Sequence, residues 1–340
     1  MSGTPLKILA IKLRAIGDTV IWTSALQGLR EAYPTAEIHV LTFESNAAVL
    51  HGHPAVSERH FLTRDSRWDL MRLLWRLRKE KFDWLLGFHA TTSLCRWAWL
   101  AGAKKVALHH HSVVGTPSGS IPVPHAGELE NAILRDHRIL EAMGLTGRAM
   151  PTKIWVSHGE TSLAEKKMAE KITASGGDAA LPRYLVLPGA SHNLRRYPKD
   201  KWLPLAQKML SEKKFQPVVV VDEALSQELG LPAECARLKL PLIDKGNLRE
   251  FIRMISRGQK ALANDSGPGH IAVALGLKTT FVFGPGCVGD WHPYDREEHP
   301  LMRTEVPCRK EGPRDREEFQ FCTVDTCEHH RCVRSLSVQI

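Results

Sequence analysis

Asn264-Asp-Ser-Gly-Pro-Gly-His-Ile-Ala-Val-Ala-Leu-Gly276 follows a short apolar run, Lys260–Ala263, and leads into a segment that reads as a helix. Asp265 and Ser266 are good N-cap residues, and Pro268 is tolerated in a first turn because its missing N–H would lack a partner there. Gly267 and Gly269 remove side chains where a ligand would touch the backbone. The result is a strand–turn–helix whose N-terminus offers N–H groups and a positive dipole to an anion such as phosphate. Asp265 and His270 add a carboxylate and an imidazole on either side of the turn. Helix capping alone is the competing reading of this segment.

Gly267-Pro-Gly-His-Ile-Ala272 also fits the G-x-G-x-x-A dinucleotide pattern. That pattern belongs to the first βα turn of its domain, with an acidic residue about 20 positions on. Here it falls late in the chain, and Gly284-Pro285-Gly286 follows the next strand, Thr279–Phe283. A nicotinamide cofactor is therefore not expected.

On either side of this segment strands alternate with helical segments, the pattern of parallel sheets. Lys7–Leu13, Glu37–Phe43, Phe82–Phe88 and Lys105–Leu108 read as strands in the first half. Thr19–Tyr33, Trp68–Arg78 and Asn131–Met143 carry apolar residues at helical spacing. The stretch 109–128, rich in His, Gly, Ser and Pro, reads as a long loop. After Pro151–Ser157 comes a polar helix, Glu160–Ser175, and the alternation restarts at Tyr184–Leu187, Pro217–Val221, Lys260–Ala263 and Thr279–Phe283, the last strand expected. Two Rossmann-like domains follow, 1–156 and 157–340, an α/β chain whose halves face each other across a cleft. Ligands of open α/β sheets sit outside the carboxyl ends of the strands.

The 340 residues exceed what one core usually fills. No run approaches the roughly 18 apolar residues that span a bilayer. The first apolar run is broken by Lys12 and shows no cleavage signal, so a cytoplasmic protein is expected. Forty-six basic residues against 37 acidic ones give a formal charge of +9, which favours an anionic partner. The basic residues lie scattered among the acids without a Lys/Arg tract, so nucleic acid is not that partner.

A second chemical site follows the first strand, at Ile11-Lys-Leu-Arg-Ala-Ile-Gly-Asp18. Gly17 frees the backbone for a tight turn, and Asp18 stands at the start of a helix. Asp18 reads either as an N-cap or as a carboxylate at the edge of the cleft, where a general base is useful.

Together these residues carry a resemblance. Lys-Leu-Arg-Ala-Ile-Gly-Asp at 12–18, Pro-Gly-Ala-Ser at 188–191, Arg-Arg-Tyr-Pro at 195–198, Asn-Asp-Ser-Gly-Pro-Gly-His at 264–270 and Phe-Gly-Pro at 283–285 resemble glycosyltransferase family 9, the bacterial ADP-heptose heptosyltransferases. The resemblance implies a GT-B fold and an inverting enzyme that needs no metal. It also implies transfer of heptose from ADP-heptose to a hydroxyl of the lipopolysaccharide inner core, on Kdo or heptose. Asp18 would be the base, with Arg14 and Gly17 beside it on the acceptor side. Asp265, Ser266, Gly267, Gly269 and His270 would bind the donor, with a cation from Arg195 or Arg196 on its diphosphate. The family usually shows Lys at the position of Arg195. Glu223, or its neighbour Asp222, is a candidate for the donor ribose. Trp291 and His292 read either as contacts to the sugar or adenine or as packed loop aromatics. A protein or another glycan is the alternative acceptor, and a basic nucleotide-binding or membrane-surface module without catalysis is the reading that remains if there is no enzyme.

Seven cysteines in a cytoplasmic chain do not predict disulfides. Cys308, Cys322, Cys327 and Cys332 cluster late with His329 and His330, but lack the paired C-x2-C spacing of zinc ribbons. Reduced structural thiols are expected, with zinc or iron as the alternative. The acceptor implied by the resemblance is an anionic lipid-linked glycan. The basic surplus, at Arg72, Arg76 and Arg78 among others, would hold the chain near the inner face of the inner membrane, or would simply solvate a helix.

Overall fold

Strands buried on both faces read as continuous apolar runs, and among the described residues they build two six-stranded sheets in which every neighbouring pair is parallel. The structure is a computed structural model describing residues 5–63, 67–90, 94, 98–110, 120–123, 130–309, 311–312, 316–323 and 326–338. Two compact units divide the chain, Met1–Trp155 and Val156–Ile340.

In the first unit, β1 (Lys7–Ile11), β2 (Glu37–Phe43), β3 (Glu58–Leu62), β4 (Trp84–Ala90), β5 (Lys105–His110) and β6 (Ile121–Val123) lie in the order β3-β2-β1-β4-β5-β6. Helices among the described residues include α1 (Ile16–Ala32), α2 (Arg67–Lys79) and α3 (Ala132–Ala142). Leu9, Ile11, Leu41, Leu85 and Leu108 of the sheet pack against Leu73, Leu74 and Leu77 of α2. Asn131 caps α3 by accepting from the N–H groups of Ile133 and Leu134.

The second unit holds β7 (Arg183–Leu187), β8 (Gln216–Val220), β9 (Leu242–Ile243), β10 (Lys260–Asn264), β11 (Lys278–Phe283) and β12 (Leu301–Arg303), in the order β12-β11-β10-β7-β8-β9. Its helices are α4 (His158–Ala174), α5 (Lys199–Glu212), α6 (Glu223–Glu228), α7 (Leu231–Leu238), α8 (Leu248–Ile255), α9 (Gly267–Ala274), α10 (Val288–Trp291) and α11 (Arg331–Arg334). Ser157 and Glu160 form a capping box at the start of α4. Read from its own first strand, each sheet has the doubly wound order 3-2-1-4-5-6, with the switch point between its first and fourth strands.

Several expectations change. α1 begins at Ile16 with Ala15 as an N-cap that makes no side-chain bond, so Asp18 lies inside the first turn and does not cap it. Gly17 lies in that same turn and is not among the glycines at positive φ, so no left-handed turn requires it. β11 is not the last strand, because β12 follows it. The expected loop 109–128 contains the end of β5 and all of β6; residues 111–119 and 124–129 lie outside the described residues. Lys12, expected only to break an apolar run, is fully buried and paired with Asp136 of α3. Among the described residues no helix is long and apolar enough to cross a membrane.

Candidate active site

The switch point of the first sheet brings together the loop after β1 and the end of β4. Asn46 shapes that loop, its side-chain amide donating to Arg14 O at 2.8 Å and to Thr19 Oγ1 at 2.9 Å. The β4–β5 register shifts between Gly87 and Ala90. Within this bulge His89 takes φ +48°, a left-handed conformation uncommon for any residue but glycine. Its Nδ1 comes to 3.5 Å from Asp18 Oδ1, and Arg14 Nε stands at 3.9 Å from the same oxygen. Asp18 and His89 are both buried.

The electrostatics follow from this burial. Desolvation works against the Asp18 carboxylate, but the His89 contact and the charges of Lys12 and Arg14 outweigh it and hold the carboxyl down at about 2. Burial pushes His89 down to about 3 against the pull of Asp18, so the imidazole is neutral at pH 7. A carboxylate backed by a neutral imidazole results, ionised across the physiological range. His89 carried no motif in the sequence; only its backbone conformation distinguishes it.

The second sheet repeats the arrangement. Asn264, the last residue of β10, accepts from the Tyr197 N–H and donates to Pro188 O, both at 2.8 Å, and so ties the loop after β7 to the loop after β10. This brings Arg195 Nη1 to 3.5 Å from Asp265 Oδ2. Arg196 is engaged elsewhere, with Glu228 at 2.6 Å and Ala190 O at 3.1 Å, so Arg195 is the cation at this switch point. Ser266 is the N-cap of α9 without a side-chain cap bond. A Cβ on Gly269 would lie 2.5 Å from Phe281 Cε1, so its missing side chain lets α9 pack on β11. A Cβ on Gly286 would lie 2.1 Å from Asp265 Oδ2, so glycine there leaves Asp265 its space. His270 is buried, with Nδ1 2.7 Å from the Tyr294 hydroxyl. Glu223 opens α6 on the surface, 3.9 Å from Lys245, while Asp222 is occupied as the N-cap. Trp291 packs against Phe281, Phe283 and Val288, and His292 is buried against Phe281.

Burial raises the Asp265 carboxyl to about 6, opposed by the charge of Arg195. The fold therefore disfavours the ionised form, and native stability falls as pH rises from the unfolded value toward 6 and changes no further above it. Asp265→Asn should accordingly stabilise the chain by about 1–3 kcal/mol at pH 7 and by nothing near pH 4. Equal melting of parent and variant at pH 7 would refute this.

The tail braces the same region. Tyr197 Oη donates to Leu336 O at 3.1 Å, and Arg309 donates to Gly284 O at 2.6 Å. Cys308, Cys322, Cys327 and Cys332 all line one cavity of about 210 Å³, with Leu194 and Pro285 on its wall. Burial pushes the Cys332 thiol up. Among the described residues, no three of these thiols bring their sulfur atoms within 4.8 Å of one another. Among the described residues only His39, Glu58 and His60 bring three metal-capable atoms within 4.8 Å. That group lies toward the amino ends of β2 and β3, away from Asp18, and its core is an imidazole pair 2.9 Å apart backed by Glu37.

The model of glycosyltransferase family 9 (heptosyltransferase) matches residues 70–318. Lipopolysaccharide heptosyltransferase 1 of Pseudomonas aeruginosa is 23% identical over 316 residues, which cover 89% of this chain and 85% of that protein. Among solved structures, a family 9 glycosyl transferase from Veillonella parvula superposes with a TM-score of 0.75 at 18% identity, covering 87% of this chain and 84% of its own. The Escherichia coli ADP-heptose LPS heptosyltransferase II gives 0.71 at 20% identity, with coverages of 88% and 91%. The fold these share with the chain is GT-B.

Proposed function

The chain belongs to glycosyltransferase family 9, the heptosyltransferase family, and from that premise we propose that it transfers heptose from ADP-heptose to a hydroxyl of the lipopolysaccharide inner core. The single observation that carries the reading is the paired switch points, an ionised carboxylate at one and an arginine beside a helix N-terminus at the other. The names of the relatives supply the donor and the acceptor class: lipopolysaccharide for the Pseudomonas protein, ADP-heptose for the Escherichia one.

Asp18 is the general base. In one in-line displacement the acceptor oxygen bonds to the anomeric carbon as the bond to the diphosphate oxygen breaks, so configuration inverts and ADP leaves with the electron pair. The acceptor proton goes to Asp18. A carboxyl held near 2 is a weak base toward a free alcohol, but an alcohol oxygen already bonding to carbon is strongly acidic, so transfer late in the displacement suits it. His89 and Arg14 position the carboxylate. Arg195, with the backbone at Ser266 and Gly267, takes the charge growing on the departing diphosphate, a role that needs fixed donors and no metal ion. Gly269 shapes this turn, His270 steadies the helix behind it, and Glu223 contacts the donor ribose. The reaction takes place on the cytoplasmic side, where the lipid-linked acceptor is presented.

Calorimetric titration with ADP, ADP-heptose and NAD, in the presence of a chelator, tests the donor side. ADP and ADP-heptose should saturate one site per chain, and NAD should give no heat. Turnover should then appear with Kdo–lipid A and not with a protein acceptor. Silence from both adenine diphosphates, or NAD binding, would overturn the reading.

A further inference from the structure

A surface helix ordinarily turns leucines to the core and charges to water. α2 meets the first half of this rule: Leu73, Leu74 and Leu77 are buried, and Leu70 packs beside them. Its opposite face departs from the second half. Trp68, Met71 and Trp75 are 79%, 57% and 63% exposed, and Trp99, in the adjoining turn Trp99–Ala101, is 57% exposed. Arg78 Nη1 donates to Leu100 O at 3.2 Å and fastens that turn to α2.

At 3.6 residues per turn, Trp68, Trp75 and Lys79 project within about 40° of one another, opposite the leucines. Arg72 and Arg76 flank them on one side, Met71 and Arg78 on the other. Lys79 Nζ lies 3.2 Å from the Trp75 ring centroid, a cation stacked on the aromatic face. The helix carries five basic residues and a single acid, Asp69, which stands 3.9 Å from Arg72.

Indoles set among guanidinium groups on an outward helical face fit the boundary of an anionic bilayer. There the rings sit at headgroup level and the cations meet lipid phosphates. A second copy of the chain fits poorly, because a two-fold contact would set this cationic face against itself. We propose that the α2 face docks on an anionic phospholipid surface, with Trp68, Trp75 and Trp99 entering the headgroup layer and Arg72 and Arg76 binding its phosphates. The proposal rests on the lipid-linked acceptor inferred above and names the surface through which the first unit meets that acceptor's membrane. It also changes the expectation for the basic residues here: the aromatic rings between the arginines carry the contact along with the charge.

Sedimentation of the full chain with vesicles, at low salt and without nucleotide, tests it. Binding should appear with phosphatidylcholine–phosphatidylglycerol vesicles and be at least tenfold weaker with phosphatidylcholine alone. Trp68→Ser with Trp75→Ser, and separately Arg72→Glu with Arg76→Glu, should each weaken anionic binding at least tenfold. For the charge reversals that loss follows from roughly 1 kcal/mol per basic residue at a charged membrane. Both variants alter exposed side chains, so ADP binding and transfer to a soluble acceptor fragment should persist while transfer to vesicle-embedded acceptor falls. Equal vesicle binding by parent and variants, no preference for anionic lipid, or a parent dimer that the tryptophan changes dissolve would each overturn the proposal. Vesicle binding that persists in a chain unable to bind ADP would refute the transferase reading and leave the docking face standing.

Discussion

Asp18→Asn lowers turnover by roughly 10²–10⁴, the range for loss of a general base, and leaves ADP affinity unchanged. The amide keeps the size and most of the packing of the carboxylate but cannot accept the acceptor's proton. Donor affinity is expected to survive because Arg195 and the backbone at Ser266 and Gly267, the groups proposed to hold the diphosphate, belong to the second unit. The pH profile sharpens the test. Because Asp18 titrates at about 2, its charge is complete well below neutrality and is lost only as pH falls through that value. The parent's kcat/KM should therefore show no acidic limb from this group between about pH 5 and 8. Turnover of the variant within threefold of the parent would remove Asp18 from the chemistry and leave it a buried charge in the first turn of α1.

The second large effect is on stability. Lys12 and Asp136 are both fully shielded from solvent and pair directly with each other. Burial lowers Lys12 and raises Asp136, and each opposes that shift in its partner through its own charge. Lys12→Met strands the Asp136 carboxyl in the interior, at a cost of about 3–5 kcal/mol. With stabilities of roughly 5–15 kcal/mol common, that is a large fraction of the total. Melting should fall by about 2–4 °C for each kcal/mol lost. Lys12→Met with Asp136→Leu should recover most of the loss, since replacing both members of a buried pair by apolar groups is often neutral. A single variant as stable as the parent would show that the pair contributes nothing to the fold.

Much of this architecture was legible in the residues. The strand cores at Glu37–Phe43, Lys260–Asn264 and Lys278–Phe283 are apolar because parallel strands are covered on both faces, and α3 ends where Asn131 and Met143 cap it. The elements that escaped notice had no such signal. β3 is Glu-Arg-His-Phe-Leu, an edge strand whose charges suit a solvent-facing border, and β9 and β12 are only two and three residues long.

The same division runs through the candidate site. The residues alone marked two candidate segments, Gly17-Asp18 and Asn264–His270, because a glycine beside a carboxylate at a helix start is a local property. Tertiary structure alone decided what those segments meet. Arg195 and Arg196 are indistinguishable by spacing, yet one faces Asp265 and the other is tied to Glu228. His89 reaches Asp18 only because a bulge in β4 turns it there, and Lys12 reads as a polar interruption until Asp136 arrives from α3, 124 residues later. Partners this distant in the chain leave no periodicity or local motif; they are brought together by the order in which parallel strands are laid beside one another.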